Sequence, residues 1–168
     1  MYKKKQRLSD LPHFPMIRNW AKERGIITFK NETTQVLKLY EEFGELCGGV
    51  LKQKNDLIKD SVGDMVVVLT NLSAIIGFDI ERECNYVKKD NKALTSRILL
   101  AWTAQEMSNL LTSTSIDSSK KSIKNIFIYI ESISLRHDLT IDECIDFAWN
   151  EIKNRTGKNV NGNFIKDE

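Results

Sequence analysis

Carboxylates stand in two groups near the most apolar run of the chain. Residues three or four apart share a face of a helix, so each group would present its acids together. Carboxylates beside a core are costly unless a positive charge accompanies them. A divalent cation supplies that charge, and oxygen ligands without His or Cys suit Mg²⁺ or Mn²⁺. The acids are Glu41, Glu42 and Glu45 in "LYEEFGELCGGVLK", and Asp60 and Asp64 in "DSVGDMVVVL".

Two successive helices are predicted to position these acids. Apolar residues recur at three- and four-residue spacing over 34–52, and a second helix is predicted over about 56–76, ending at Gly77. The short connection "KQKND" favours antiparallel packing, which would bring both acidic groups together. Converging carboxylates raise one another's pKa values, and a cation removes that penalty. On these residues alone, a solvated Glu-rich face stays open as the alternative.

Two glycines and one asparagine accompany the acids. Gly44 and Gly63 lie inside the predicted helices, where glycine costs about 1 kcal/mol against alanine. Both are therefore predicted to permit close helix approach beside the site. Asn71 lies seven residues beyond Asp64, on the same stripe of the second helix.

The whole chain is predicted to be a single all-α domain, residues 1–168, built as a bundle of five to seven helices. Residues 1–15 are expected to be a partly flexible arm and residues 156–168 a C-terminal arm. The isoleucines of 123–135 also suit a strand, but the length of the segment and its surroundings favour a helix. The other helices are predicted through Trp20 to near Gly25, and over 79–91, 96–111 and 140–155, the last with a capping box from Thr140 to Glu143.

Composition excludes several classes of protein. The net charge of +2 gives no global field for nucleic acid or membrane, and the basic "KKKQR" is interpreted as a solvated tail. No apolar run approaches the roughly 20 residues that span a membrane, and the first residues lack a signal-peptide core. Three separated cysteines predict reduced thiols in a cytoplasmic protein. Neither a phosphate-binding loop nor a nucleophile elbow is present.

A faint internal repeat has a spacing of about 60 residues. "VLKLYEEFGEL" aligns with "LAWTAQEMSNL", and "DMVVVLTNLSAIIGFDIE" aligns with "NIFIYIESISLRHDLTID". The apolar frame recurs, and most of the acids do not. Either any two amphipathic hairpins align this well, or a helical hairpin was duplicated and one copy lost its charged site.

The motifs "EEFGE" and "DSVGDMVVVL", approached by "QVLKLYEEFGEL", resemble the MazG-like all-α nucleoside triphosphate pyrophosphohydrolases, especially short members from bacteriophages. The closing segment "AWNEIKNRTGKNVNGNFIK" is similar to that of the phage-type members. The resemblance covers roughly residues 17–80 and 138–166. It implies Mg²⁺-dependent hydrolysis of a nucleoside triphosphate to a monophosphate and pyrophosphate, with Mn²⁺ as a possible substitute.

The resemblance also implies roles for the acids. Glu42, Glu45 and Asp64 match metal ligands, and Glu41 would be a further ligand or orient the attacking water, so Glu41 and Glu42 are the catalytic candidates. The family usually has Glu three residues before the final Asp, where this chain has Ser61. Asp60 is expected to replace that Glu.

Other residues are candidates for binding substrate: Gln35, Lys38 and Asn71 from the helices with the acids, Asn150, Lys153 and Arg155 near the C-terminus, and Trp20. Asn150 and Lys153 match an N-x-x-K element of the family, although basic residues at a helix C-terminus also complement its dipole. Trp20 would stack on a nucleobase or, alternatively, belong to the core or an interface. Lys38 would reach base or phosphate, or be solvated.

The resemblance further implies a homo-oligomer, dimer or tetramer, in the cytoplasm of a bacterium or a phage-infected host. Two rival functions stay open. One is a dUTPase-like all-α phosphohydrolase, which a strong preference for dUTP would favour. The other is a non-enzymatic helical interaction protein, in which Ser61 marks decay of the site.

Overall fold

The computed structural model describes residues 7–86, 94–160 and 163–167. These contain seven α-helices and one antiparallel hairpin, so the prediction of an all-α bundle with five to seven helices is confirmed. Short 3₁₀ turns cover Leu8–Asp10 and Phe29–Asn31. The elements are α1 His13–Glu23, α2 Glu32–Lys52, α3 Asn55–Ile75, α4 Ile80–Glu83, α5 Ser96–Leu111, α6 Ile116–Arg136, α7 Ile141–Ile152, β1 Gly157–Val160 and β2 Asn163–Lys166.

The central element is α3. It packs against α1, α2, α6 and α7, and Val62, Met65, Val66 and Leu69 are fully buried. A helix that is apolar on most of its circumference must be surrounded by other elements, as the sequence of α3 requires. Ser61, Thr70, Asn71 and Ser73 are therefore buried among other elements, whereas Asn55 and Asp56 in the first turn of α3 are exposed.

Two antiparallel helical hairpins form the body of the bundle, α2–α3 and α5–α6. The first turns at Gln53, which takes a left-handed conformation, and α3 is followed by Gly77 at φ +91°. Glycine tolerates that conformation without strain, as expected for the residue that stops a helix. The predicted capping box of α7 is also present, between Thr140 and Glu143.

Three expectations about elements need correction or completion. The predicted helix over 79–91 is only Ile80–Glu83, followed by extended chain at Cys84, and residues 87–93 lie outside the described part. Residues 123–135 lie within α6 and are helical. The C-terminal arm is the β1–β2 hairpin, whose strands pair Gly157 with Lys166.

The expected N-terminal arm is packed wherever it is described. Leu8, Leu11 and Phe14 are buried in the core, which ties residues 8–15 to the domain. Residues 1–6 lie outside the described part. The described segments include no helix with the length and apolarity to cross a bilayer. Cys47, Cys84 and Cys144 are free thiols, as expected.

Candidate functional site

Glu42 of α2, which is buried, and Asp64 of α3, which is half-buried, form a carboxylate pair between the antiparallel helices. Glu42 is only 4% exposed. Burial and the neighbouring charges of Glu42 and Asp60 raise the pKa of Asp64 to about 7. Burial also raises the pKa of Glu42, against the opposing effect of Lys38. The predicted convergence of the two acidic helices is thus present, and with it the electrostatic penalty that a cation would remove.

Lys38 is the cation that now accompanies the carboxylate pair. Its Nζ lies 2.8 Å from Glu42 Oε1 and 2.9 Å from Glu41 Oε2, on the same helix. Burial alone would lower the pKa of Lys38. The hydrogen bonds and negative charges of Glu42 and Glu41 together have the larger effect, so the pKa of Lys38 is raised. Glu41 itself is largely exposed. Lys38 is therefore engaged in an ion pair with both glutamates, although 36% of its side chain is exposed.

A second, more open group of acids adjoins the pair. Burial raises the pKa of Asp60, and Glu151 and Glu45 raise it further. Glu151 belongs to α7 and was not predicted from sequence. Arg155 opposes this effect on Asp60 and binds Glu151 at 3.2 Å. Acidic side chains thus extend from Glu42 and Asp64 to the surface, and Arg155 is the cation beside them.

Ser61 stands where the MazG-like pattern usually has Glu, and its side chain bonds within its own helix. Ser61 is fully buried, and its hydroxyl donates to the carbonyl of Leu57 at 2.7 Å. Its hydrogen-bonding capacity is directed along the helix rather than toward the acids. After Glu42, the negative charge of Asp60 also raises the pKa of Asp64.

The acids do not form a finished metal cage. Among residues 7–86, 94–160 and 163–167, no three His, Cys, Asp or Glu side chains are placed to hold one ion. The chemistry of the donors nevertheless suits a hard cation, because all of them are carboxylate oxygens. Glu42 and Asp64, when both are ionised, also carry more negative charge than Lys38 offsets.

A cavity of about 170 Å³ extends from the carboxylate pair along the groove between α2 and α3. Its second polar feature is an amide pair, Gln35 and Asn71, in which Asn71 Nδ2 donates to Gln35 Oε1 at 3.2 Å. Both amides are more than nine-tenths buried. The full lining is Trp20, Ile26, Gln35, Lys38, Glu42, Asp64, Val67, Val68, Asn71, Ile152, Arg155 and Phe164.

The amide pair and the carboxylate pair each join α2 to α3, at two different levels along the same antiparallel hairpin. Gln35 precedes Glu42 by seven residues, and Asn71 follows Asp64 by seven. Seven residues are two helical turns, about 10 Å. The cavity therefore has a charged end and, about 10 Å away, an end with neutral amides and apolar walls.

Trp20 of α1 and Phe164 of β2 close the neutral end. Their ring centroids are 5.4 Å apart in an edge-to-face contact, and the guanidinium of Arg24 lies 4.6 Å from the Trp20 ring centroid. Arg24 also donates to the carbonyls of Trp20 and Arg155. The C-terminal hairpin is thus part of the cavity wall. Trp20 is 8% exposed and belongs to that wall.

Gly63 permits α7 to approach α3 beside the acids, as predicted. A Cβ at this position would collide with the carbonyl oxygen of Cys144 and lie 2.8 Å from the side chain of Ala148. The corresponding prediction for Gly44 is wrong, because a Cβ there meets nothing within 4 Å. Close contact at Gly63 brings the end of α7, with Glu151 and Arg155, to the cavity.

Two of the candidates for binding substrate lie outside the cavity lining, as do the acids Glu41, Glu45 and Asp60. Asn150 and Lys153 are exposed and bond to each other at 2.6 Å, and Asn150 also donates to Asp146. Arg155, two residues further on, reaches the cavity. Helical periodicity separates them, since residues 150 and 153 share an outer face of the chain as α7 ends.

The α5–α6 hairpin has a pair of polar residues at the positions that correspond to Glu42 and Asp64, but only one of the two is an acid. Glu106 of α5, aligned with Glu42, accepts from Asn125 Nδ2 and Ser122 Oγ, both at 2.8 Å. Asn125 is aligned with Asp64. Equivalent residues therefore face each other in both hairpins, which favours duplication over chance alignment.

Several residues of the site were missed from sequence. Glu151 had a signal, because it stands four residues before Arg155, the spacing of a helical ion pair. Phe164 is an isolated aromatic in a tail rich in Gly and Asn, which indicates a packed anchor. Nothing in the sequence pointed to Arg24, whose role depends on how α1 meets the end of α7.

Comparisons with known proteins give one partial relative. No protein-family model matches the chain, and no solved structure matches it. Over 57 residues the chain is 49% identical to an uncharacterized 18.2 kDa protein of the rep-hol intergenic region of Haemophilus phage HP1. The match covers 34% of this chain and 35% of the phage protein. Similarity to a phage protein is therefore a finding, whereas activity must be inferred from the site.

Proposed function

We propose that this protein hydrolyses nucleoside triphosphates to nucleoside monophosphates and pyrophosphate with a divalent cation. The supporting observation is a single cavity with two unlike ends. Trp20, apolar side chains and the amide pair suit a nucleobase, while Glu42, Asp64 and the cations Lys38 and Arg155 suit a cation and phosphates. The resemblance of the acidic motifs to the MazG-like family supports the same activity.

Glu42, Asp64, Asp60 and Glu45 would hold the cation, Mg²⁺ or Mn²⁺. A cation at Glu42 takes the place of Lys38, because both neutralise the same buried carboxylate. When bound, the ion neutralises phosphate charge and lowers the pKa of water. Lys38, once released from Glu42, and Arg155 are then the cations nearest to the polyphosphate. Glu41, which is largely exposed and bonded to Lys38, would orient the attacking water.

Pyrophosphate release from each NTP and dNTP tests the activity, with wild type compared to Asp64→Asn. This change removes one carboxylate of the pair that Asp64 forms with Glu42, and we expect turnover to fall at least a hundredfold. Glu106→Gln is the matched control, since it changes the aligned acid of the second hairpin and should leave turnover unchanged. Turnover that survives Asp64→Asn intact would refute the site.

A non-enzymatic interaction protein remains the second candidate, favoured by the absence of a finished metal cage in the described part of the chain. Isothermal titration with Mg²⁺ and a non-hydrolysable nucleoside triphosphate separates the two functions. Binding that Glu42→Gln abolishes supports the enzyme, and absence of binding supports the interaction protein. In the same substrate panel, exclusive use of dUTP would assign the dUTPase-like activity instead.

A further inference from the structure

Arg24 contacts three residues of the cavity wall, although it is not itself one of the lining residues in the described structure. It follows directly after α1. Its Nη1 donates to the carbonyl of Trp20 at 3.2 Å, and its Nη2 donates to the carbonyl of Arg155 at 2.8 Å. The guanidinium carbon also lies 4.6 Å from the ring centroid of Trp20 and 5.8 Å from that of Phe164. One side chain thus joins α1, the segment after α7 and the C-terminal hairpin.

The bond from Arg24 to Arg155 does more than complete the end of a helix. Basic side chains near a helix C-terminus often bond its last carbonyls, and the bond to Trp20 is of that kind. The bond to Arg155 spans 131 positions of the chain and has no such local cause. The Arg24 side chain is 20% exposed, and the carboxylate of Glu23, 3.7 Å away, is 76% exposed. The two carbonyls are therefore the close hydrogen-bond acceptors of this guanidinium.

Arg155 is the residue whose place in the cavity this bond fixes. Its backbone N–H donates to the carbonyl of Ile152 at 2.9 Å, so the bond from Arg24 holds the other side of the same residue. The side chain of Arg155 lines the cavity. Burial is the main cause that raises the pKa values of Asp60 and Asp64, and the positive charge of Arg155 opposes the rise in both. A shift of the Arg155 backbone would therefore move a positive charge away from the acids.

We propose that Arg24 is a positioning residue, which holds Arg155 at the charged end of the cavity so that the guanidinium of Arg155 binds the polyphosphate. The inference rests on the proposed function, because the polyphosphate belongs to the substrate assigned there. Arginine presents its N–H donors in a rigid plane, whereas lysine has one nitrogen on a flexible stem. Arg24→Lys would thus keep the charge and lose the simultaneous bonds to two carbonyls.

A double-mutant cycle on nucleotide affinity tests the positioning role. The full-length protein with Mg²⁺ is titrated calorimetrically with α,β-imido analogues of dATP, dCTP, dGTP and dUTP, and the analogue that binds most tightly is used for every variant. We expect Arg24→Lys to weaken binding about tenfold and Arg155→Gln about thirtyfold. Because Arg24 acts through Arg155, Arg24→Lys should cost less than about threefold in the Arg155→Gln protein.

The backbone order of the segment after α7 gives a second readout, which needs no ligand. The amide of Thr156 shares a peptide unit with the carbonyl of Arg155. Its order parameter, from ¹⁵N relaxation, should fall from about 0.85 in wild type toward about 0.6 in Arg24→Lys, because that carbonyl loses its partner. Arg97→Lys is the matched control, an exposed arginine of α5 outside the cavity lining, and should change neither affinity nor order.

Thermal unfolding verifies that each variant is folded, and Arg24→Met, which has no donor, replaces Arg24→Lys if the latter is not. Affinity losses that multiply in the double variant, wild-type affinity in Arg24→Lys, or unchanged order at Thr156 overturn the inference and leave the proposed function standing. If wild type binds none of the four analogues, the proposed function and the inference are both refuted.

Discussion

Asp64 is the carboxyl group of the site whose pKa is raised by a large amount. Folding raises its pKa from 3.8 to about 7, chiefly through burial and then through Glu42 and Asp60. A carboxyl of this kind ionises more readily in the unfolded chain. Its contribution to folding stability therefore decreases as pH rises from about 4 to about 7, and stays low above pH 7.

Asp64→Asn should stabilise the metal-free protein at alkaline pH. At pH 8 with a chelator, we expect the variant to exceed wild type in free energy of unfolding by roughly 2 kcal/mol, with the gap narrowing as pH falls toward 4. Denaturant titrations over this pH range measure the difference. A gap that is constant with pH would contradict the raised pKa, and added Mn²⁺ should stabilise only wild type.

Under the proposed function, Lys38 competes with a metal cation for Glu42. Lys38→Met leaves the buried carboxylate without its partner, so the metal-free protein should lose about 1 kcal/mol of stability. In the absence of nucleotide, Mn²⁺ affinity should rise, because the competing ammonium is gone. Electron paramagnetic resonance of free Mn²⁺ reports this directly. Lys38→Arg retains a cation and should behave like wild type; weaker Mn²⁺ binding in Lys38→Met would refute the competition.

The packing of α7 against α3 determines where Glu151 and Arg155 lie, because Glu151 is near the end of α7 and Arg155 follows that end. Gly63→Ala would push α7 away through Cys144, and should cost about 1–3 kcal/mol in stability. Gly44→Ala is the matched control on α2. Its Cβ meets nothing, so the better helix propensity of alanine should stabilise the protein by about 0.5–1 kcal/mol. Chemical denaturation of both variants gives the comparison, and equal effects would be inconsistent with close approach at Gly63.

Periodicity and spacing predicted the elements well where helices are long. The antiparallel placement of α2 and α3 followed from a short connection, and it brought Glu42 to Asp64. The pair of Gln35 and Asn71 is a consequence of the same geometry, but its hydrogen bond depends on register between helices, which local sequence does not encode. For the same reason the sequence could not separate Arg155, in the cavity, from Lys153 outside it.

At the scale of the whole molecule, distant parts of the chain complete one site. Trp20 comes from α1, the amide and carboxylate pairs come from α2 and α3, and Phe164 comes from the C-terminal hairpin. Composition could place the chain among helical domains, yet contacts such as Arg24 to the carbonyl of Arg155 join residues 131 positions apart. Such contacts are set by the assembled bundle and leave no local signature.

Phe164→Ala should weaken nucleotide binding without unfolding the bundle. Phe164 lines the cavity and packs on Trp20, so its loss opens the wall at the neutral end. We expect an approximately tenfold loss of affinity for a non-hydrolysable nucleoside triphosphate, measured by titration calorimetry. Ile165→Ala, at an exposed neighbouring position of the same strand, is the control and should bind normally. Equal affinity in both variants would exclude the hairpin from the site.

The position of Phe164 in the chain also bears on biosynthesis. Carbonyls near the end of α1 accept bonds from Arg24 and, at Gly25, from Asn159 at 3.1 Å, so the hairpin docks onto a helix translated more than a hundred residues before it. The acidic groove between α2 and α3 can form early in a nascent chain. The wall of the cavity is complete only after residue 164 has left the ribosome, because Phe164 is part of that wall. Any ligand that uses this wall would therefore bind only after the hairpin has been synthesised and has docked onto α1.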